Sequence, residues 1–261
     1  SDVSQLTGLS SPDWSWACFM NDFDNDGLRD VFVANGYRRD LYDKDAIKKM
    51  NEYFAEHNNR IKDVNEVMNI YNSEKLKSYF YKNNGELNFS KMSDAGGIDQ
   101  ASFSNGASIA DLDNDGDVDL VVNNLNQEAF VYRNNAEKSG NAYLRVRLEG
   151  PAANRQGLGA KISIKYGDQI QMEQLKLNRG YLGTVEPVAH FGLGNITQVE
   201  EVTVKWLDGS VSTLANPALN SEVVVSHKTA TKDGIEAAKM QPYFKEMTTE
   251  AFSKPFVHQE N

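Results

Sequence analysis

Two short acidic segments hold the residues whose types and spacing could do chemistry. Each has an aspartate at every second position, then a glycine, then another aspartate three residues later. Oxygen ligands spaced in this way in a tight loop converge on one point, which suits a hard cation with a shell of about 6–8 oxygens. The sequence therefore predicts two Ca²⁺ sites. Their predicted ligands are Asp22, Asp24, Asp26, Leu28 and Asp30 in the first segment and Asp111, Asp113, Asp115, Asp117 and Asp119 in the second.

Within each segment the spacing predicts different roles for the ligands. The residue after the glycine, Leu28 or Asp117, is expected to offer its backbone carbonyl. Asp30 and Asp119 are expected to close the shell from the strand that follows. Like charges this close repel one another by about 1–4 kcal/mol per pair at 4 Å. Each loop is therefore expected to open when no metal is bound.

Other interpretations of the acidic segments remain open. The segments are not EF-hands, because Val33 and Val122 stand where that loop has a bidentate glutamate. The lack of His and Cys in these segments argues against zinc. Mg²⁺ remains possible, but it takes fewer protein ligands and requires a stricter geometry. The aspartates could instead form Asx-turns in solvated loops. Paired catalytic carboxylates of the glycosidase type are a further alternative, which two identical loops do not favour.

The flanking residues predict short β-strands. Residues 16–35 and 106–124 each contain a small or apolar run, the acidic segment and a β-branched run, which predicts strand, loop and strand twice. Asp22 and Asp111 are 89 residues apart, whereas a propeller blade has roughly 40–50. An insertion at about 40–78 explains the excess. Its apolar residues follow the helical period, with Ile47, Met50 and Phe54 on one stripe and Val64, Val67, Met68 and Tyr71 on the other.

More strands follow the insertion and the second loop. Residues 79–89 predict a hairpin around Asn84-Gly85, and residues 129–134 repeat its first strand. The two helical stripes are expected to pack onto this sheet. The predicted fold class is mainly β: a partial β-propeller over 1–140 with the helical insertion, followed by a β-sandwich over 141–228. Alternating segments such as 143–148, 161–166 and 202–206 indicate the sandwich. Residues 229–261 are expected to be a linker and the start of a further repeat region.

Composition excludes several classes of function. A net charge of −10 disfavours binding to nucleic acid, which needs clustered Lys and Arg. The chain has no apolar run near the ~20 residues of a membrane-spanning helix, and the polar residues after Ser1 do not resemble a signal peptide. The single cysteine, Cys18, is predicted to be a small buried hydrophobe. His190 is predicted to have a structural role, and Trp14 and Trp16 to pack between blades.

The two acidic loops and their strands resemble the FG-GAP/VCBS repeats of integrin-type propellers. In that family such loops bind calcium within a blade, so the resemblance implies calcium binding over about 14–135. A later segment, about 141–228, resembles the ASPIC/UnbV domain found after such repeats in cartilage-acidic-protein-like chains. The residues that carry this second resemblance are 157–162, Arg179-Gly-Tyr181, His190-Phe-Gly-Leu-Gly194 and 204–209, where Leu207 replaces the usual proline. Two repeats cannot close a propeller, so the resemblance implies a longer parent chain.

These observations predict a non-catalytic, calcium-binding module of a secreted or cell-surface protein. Its expected role is binding or adhesion, with an unknown protein or glycan as partner. The alternative is a glycan-binding or glycan-processing accessory protein of the cell envelope. A hydrolase or lyase would require acidic or basic residues outside the loops to converge in a cleft, and the sequence indicates no such set.

Overall fold

The computed structural model describes residues 3–232 and Met247. Most of the predicted linker and further repeat region, including residues 244–246 and 256–261, lies outside these residues. The described chain is mainly β and contains several sheets. No helix in this part of the chain has the length and hydropathy needed to cross a bilayer.

The first half of the chain contains two similar antiparallel sheets, each with an acidic loop. The order is β1-β2-β4-β5 in the first sheet and β7-β8-β9 in the second, and β3 pairs with β6. The sheets do not form a closed propeller within the described residues. The strand bounds are β1 Ser15–Asn21, β2 Asp30–Asn35, β3 Leu76–Lys77, β4 Tyr79–Asn83, β5 Phe89–Lys91, β6 Ala101–Ser102, β7 Ser104–Ala110, β8 Asp119–Asn124 and β9 Phe130–Tyr132.

A shared apolar core joins these two sheets. It includes Phe19 and Phe32 from the first sheet and Ile109 and Leu120 from the second. Because side chains alternate along a strand, Ala17 and Phe19 turn inward and their neighbours turn outward. Cys18 is therefore exposed, so the prediction that it is buried was wrong.

The insertion contains two helices, α1 Lys44–Glu56 and α2 Val64–Ile70. Asp43 and Asp63 cap their N-termini through side-chain oxygens that accept backbone N–H groups. The buried residues are Ala46, Met50, Tyr53 and Val67. Met50, Tyr53 and Val67 form a cluster of their own with partly buried residues of the same insertion. The helices thus pack on each other. The prediction that their stripes pack onto the sheet was wrong, and Ile47 and Met68 are exposed.

The second half of the chain has two sheets around one large apolar core. One sheet has the order β13-β10-β16, in which β10 and β16 are parallel, and the other has the order β12-β11-β14-β15-β17. Leu144 and Val146 of the first sheet share the core with Ile162 and Val204 of the second. The bounds are β10 Ala142–Glu149, β11 Lys161–Tyr166, β12 Gln169–Gln174, β13 Val188–Gly194, β14 Glu201–Lys205, β15 Ser210–Ala215, β16 Ser221–Ser226 and β17 Thr231–Lys232.

Candidate metal centre

The two acidic segments occupy the same place in their sheets. Loop 1, residues 22–29, connects β1 to β2, and loop 2, residues 111–118, connects β7 to β8. Their backbones match closely, because Asn25 and Asn114 have φ of 58° and 62° and the glycines two positions later have φ of 93° and 94°. Asparagine and glycine tolerate this left-handed region better than other residues. The repeated sequence therefore produces a repeated loop geometry.

Three carboxylates converge in each loop. One oxygen from each of Asp22, Asp24 and Asp26 lies within 4.8 Å of the others. The same holds for Asp111, Asp113 and Asp115 in loop 2. A divalent cation between such groups would neutralise their repulsion, so both clusters are able to hold a metal ion.

The last aspartate of each segment has another role. Asp30 Oδ2 accepts the N–H of Phe23 at 3.1 Å, and its Oδ1 accepts the N–H of Asn83 at 2.8 Å. Asp119 repeats this pattern with Leu112 at 2.8 Å and Asn134 at 2.7 Å. Asp30 thus ties loop 1 to the third strand of its sheet, and Asp119 ties loop 2 to the residues that follow β9. Neither belongs to a cluster of converging carboxylates among the described residues, and their part in closing the ligand shell stays a prediction.

The residues after the two glycines differ between the loops. Leu28 is exposed, and its N–H donates to Asp26 Oδ1 at 2.8 Å. Asp117 is 1% exposed, and its carboxylate converges with Asp115 and Glu137 in a third cluster. The backbone carbonyls of Leu28 and Asp117 stay predicted ligands, while the side chain of Asp117 adds an acidic group that the prediction did not use.

Each loop also contacts a cation that the sequence analysis missed: Lys82 lies in β4, and Arg133 directly follows β9. Lys82 Nζ contacts Asp24 and lies 3.1 Å from Asp26 Oδ2. Arg133 Nε lies 2.7 Å from Asp113 Oδ2, and its Nη2 lies 3.1 Å from Asp115 Oδ2. The signal was present in the sequence as two related tetrapeptides, Tyr81-Lys-Asn-Asn84 and Tyr132-Arg-Asn-Asn135. Each tetrapeptide brings a cation to its loop and an Asn N–H to the last aspartate.

Burial makes several of these carboxylates hard to ionise. It raises the pKa of Asp22 to about 7, against the opposing hydrogen bonds from the N–H groups of Gly27 and Asp26. Burial also raises the pKa of Asp30 to about 6. The pKa of Asp117 rises to about 7, chiefly through burial and with added repulsion from Asp115. Charges kept from water need a counter-ion, which a bound cation would supply.

A buried oxygen in loop 2 supports the fit of a metal ion. Within residues 3–232, Asp111 Oδ1 is shielded from solvent and has no hydrogen-bond partner, although the great majority of buried polar atoms have one. The surrounding donors are carboxylates, which suit Ca²⁺ or Mg²⁺. The donor set of each loop therefore fits a hard cation.

The second half of the chain packs against both loops. Arg145 of β10 lies 2.7 Å from Asp111 and 2.8 Å from Glu186, and its side chain is only 7% exposed. His190 of β13 contacts Asn25 Oδ1 through Nε2 at 2.7 Å. Burial, and secondarily the charge of Arg145, lowers the pKa of His190 to about 3. The ring is therefore neutral, and because Asn25 Oδ1 can only accept, His190 Nε2 must carry the hydrogen.

Glycines allow the close approach at this contact. A Cβ on Gly192 would lie 1.9 Å from Asp22 Oδ2 and 2.6 Å from Asn25 Cα, so no larger residue fits there. The N–H of Gly194 donates to the Asn25 carbonyl at 2.7 Å. A Cβ on Gly180 would lie 2.8 Å from a ring carbon of Phe19. Two of the quoted motifs, 179–181 and 190–194, thus form the contact with the acidic-loop sheets.

Comparison with known proteins supports part of the predicted resemblance. Residues 150–232 match the family model described as ASPIC and UnbV. Cartilage acidic protein 1 of Mus musculus is 35% identical over 126 residues, which is 44% of this chain and 18% of that protein. The Homo sapiens protein of the same name is 35% identical over 114 residues, 41% of this chain and 16% of that protein.

The Xenopus tropicalis protein gives a similar result. It is 31% identical over 132 residues, which is 47% of this chain and 19% of that protein. The chain therefore spans less than a fifth of the length of these curated relatives. These matches confirm the ASPIC/UnbV resemblance, and the assignment of FG-GAP/VCBS repeats stays a prediction.

Proposed function

We propose that this chain is a calcium-binding, non-catalytic part of a secreted or cell-surface protein, with a role in binding or adhesion. In this proposal the two acidic-loop sheets are blades of the FG-GAP/VCBS type. The observation that carries it is the repeated loop, in which three carboxylates converge twice with nearly the same backbone conformation. A loop that served only as a turn would not need three converging charges.

Calcium fits these loops better than other common ions. The donors are oxygens on short loops, and calcium accepts about 6–8 oxygen ligands in irregular geometry, as such loops offer them. Magnesium requires a smaller and stricter octahedral shell. Asp22, Asp24 and Asp26 would hold the ion of loop 1, and Asp111, Asp113 and Asp115 that of loop 2. Bound calcium would supply positive charge to each loop, and Lys82 and Arg133 would move away from the carboxylates that they contact.

Two arguments support a non-catalytic, extracellular role. Buried titratable groups around the loops make structural contacts. Asp30 and Asp119 accept backbone N–H groups, and Arg145 pairs with Asp111 and Glu186. The curated relatives carry the word cartilage in their name, which supports a location outside the cell. Calcium sites of low affinity, with dissociation constants of about 10⁻⁴–10⁻³ M, suit extracellular modules.

The test of this proposal combines metal analysis with thermal unfolding. The purified full chain is expected to retain calcium, and its melting temperature is expected to rise in millimolar calcium because only the folded state forms the sites. Magnesium at the same concentration is expected to give a smaller rise. If no calcium is bound and the melting temperature does not move, the loops are solvated turns and the proposal fails.

A groove beside β1 favours glycan binding as a second candidate. It has a volume of about 610 Å³ and is lined by aromatic and amide side chains, among them Trp16, Tyr181, Asn105 and Asn123. The ring centroids of Trp16 and Tyr181 are 4.7 Å apart, and Asn105 Oδ1 has no hydrogen-bond partner. Aromatic faces with nearby amides suit a sugar ring. A glycan array with the wild type and Tyr181→Ala tests this, since binding should depend on Tyr181.

A further inference from the structure

A third cluster of carboxylates lies next to loop 2. One oxygen from each of Asp115, Asp117 and Glu137 lies within 4.8 Å of the others. Asp115 belongs both to this cluster and to the cluster of Asp111 and Asp113. Glu137 lies in a short 3₁₀ helix, Ala136–Ser139, that follows β9. The two clusters are therefore adjacent and share one carboxylate.

Asp117 shows that this cluster needs a positive partner. Its Oδ2 accepts the N–H of Glu137 at 3.1 Å, whereas its Oδ1 is shielded from solvent and has no hydrogen-bond partner among the described residues. The side chains that converge on Asp117, those of Asp115 and Glu137, are carboxylates, which cannot donate a hydrogen bond when ionised. A buried charged oxygen without a partner is costly, so a ligand is expected at this position.

The nearby cations do not fill this position. Arg133 Nη2 lies 3.1 Å from Asp115 Oδ2 and 3.9 Å from Glu137 Oε1, and Lys138 Nζ lies 4.0 Å from Glu137 Oε1. The side chains of Arg133 and Lys138 are 61% and 71% exposed. Both side chains reach the cluster from the solvent side. Among the described residues, neither contacts Asp117 Oδ1.

We propose that a second calcium ion binds beside loop 2, between Asp115, Asp117 and Glu137, and shares Asp115 with the ion of the loop. This inference rests on the proposed calcium binding by the loops. Loop 1 lacks the equivalent site, because Leu28 stands at the position of Asp117 and cannot ligate through its side chain. The counterpart of Glu137 in the first repeat is Glu86, which belongs to no cluster of converging carboxylates among the described residues. The chain is therefore expected to bind three calcium ions, two of them at loop 2.

Calcium stoichiometry tests the inference in the full-length chain. The protein is stripped with a chelator and equilibrated with millimolar calcium, and bound calcium is measured by equilibrium dialysis with elemental analysis. The wild type should bind three ions per chain. Asp117→Asn should bind two, since it keeps an oxygen for the Glu137 N–H but loses the charge. Glu137→Gln should also bind two, whereas the matched control Glu86→Gln should bind three.

The outcomes separate this inference from the proposed function. If the wild type binds two ions and neither variant binds fewer, the two loop sites are supported and the proposed second ion at loop 2 is wrong. A proton shared between Asp117 and a neighbour would give this same result. No bound calcium at all would overturn both proposals. Glu137→Gln gives an independent measurement if Asp117→Asn does not fold, because the Glu137 side chain is 29% exposed.

Discussion

Loop 1 and loop 2 have the same backbone but different surroundings. In loop 1 both oxygens of Asp22 accept backbone N–H groups, from Asp26 at 3.1 Å and from Gly27 at 2.7 Å. In loop 2 Asp111 Oδ2 accepts the N–H of Gly116 at 3.1 Å, while Asp111 Oδ1 has no partner. The same sequence motif therefore leaves a buried, unpartnered carboxylate oxygen in loop 2 and none at the equivalent aspartate of loop 1 among the described residues. Loop 2 is expected to bind calcium more tightly than loop 1.

The second half of the chain engages the two loops through different chemistry. Loop 1 inserts the buried Asn25 against β13, where neutral hydrogen bonds from His190 and Gly194 hold it. The corresponding Asn114 of loop 2 is exposed, and loop 2 is held instead by the charge of Arg145. Loop 1 is thus held by neutral hydrogen bonds, whereas loop 2 is held by an ion pair with Arg145 together with close packing of the Tyr143 ring on Gly116.

The largest expected loss of stability follows from removing the positive charge of Arg145, which is buried against loop 2. Arg145→Met should lower the free energy of unfolding by about 3–5 kcal/mol in calcium-free buffer, because it leaves the buried carboxylate of Asp111 without its cation. Urea unfolding measures this loss. Lys82→Met is the matched change at loop 1, and it should cost about 1 kcal/mol or less, since its side chain is 35% exposed. Equal losses in the two variants would contradict the distinction between the loops.

Calcium titration of single-loop variants gives the next largest effect. Each ion should add about 1.4 kcal/mol to the free energy of unfolding at ten times its dissociation constant, and about 2.7 kcal/mol at a hundred times. Asp113→Ala should remove most of the gain from the ion held by Asp111, Asp113 and Asp115, and Asp24→Ala most of the gain from the ion of loop 1, each leaving the other loop intact. Thermal melts with and without calcium measure both.

The comparison of these two variants tests which loop binds calcium more tightly. Asp113→Ala should lose more of the calcium-induced stabilisation than Asp24→Ala, because Asp111 Oδ1 offers the ion an oxygen that nothing else uses. A larger loss in Asp24→Ala would show that loop 1 is the tighter site.

The calcium-induced rise in melting temperature should also depend on pH, although this change should be smaller than the loss caused by removing a ligand. The pKa of Asp22 is raised from its ordinary 3.8 to about 7, so the folded state binds this proton more tightly than the unfolded state does. In calcium-free protein the contribution of Asp22 to stability therefore falls as pH rises from about 4 through about 7. Calcium competes with the proton, so the calcium-induced rise in melting temperature should be larger at about pH 7.5 than at about pH 5.5.

Asp30 and Asp117, with pKa values raised to about 6 and about 7, titrate in the same range and change stability in the same direction as Asp22. His190 also titrates there, in the opposite direction, without obscuring this test. The lowered pKa of His190 makes its contribution to stability rise with pH between about 3 and about 6.5. His190 contacts Asn25 and not the converging carboxylates, so its contribution is expected to cancel when melts with and without calcium are compared. An equal calcium effect at both pH values would show that Asp22 does not release a proton on binding.

The sequence predicted the parts of this fold that depend on local patterns. Alternating apolar residues and turn residues located the strands on either side of both loops and the strands after Gly140. Alternation alone shows that a strand has two faces but not which face is buried, which is why Cys18 was misplaced. A helical stripe likewise identifies a buried face but not the element it meets, and the two helices of the insertion meet each other.

The candidate site was predictable only where its residues are close in sequence. The spacing of Asp22, Asp24 and Asp26 brings them together whatever the rest of the chain does. Lys82 reaches the same loop from β4. The helical insertion separates Lys82 from the loop in sequence, so the two repeats are hard to align. The roles of Asp30 and Asp119 depend on backbone N–H groups of β4 and of the residues after β9, which no local pattern reveals. Long-range contacts of this kind require the topology to be known first.

The smallest expected effect concerns the insertion, which the first repeat has and the second lacks. The insertion connects β2 to β3 and is closed at its base by a bridge between Tyr37 and Glu74. Its buried residues form their own cluster, and it contributes no carboxylate to the converging groups of the described chain. Replacement of residues 43–75 by a short linker should therefore leave calcium stoichiometry and the calcium-induced rise in melting temperature unchanged. Loop 2 serves as the internal control, because its sheet connects β8 to β9 directly. Loss of one bound ion on replacement would show that the insertion positions loop 1, and the difference between the loops would then lie in the insertion as well as in the contacts with the second half of the chain.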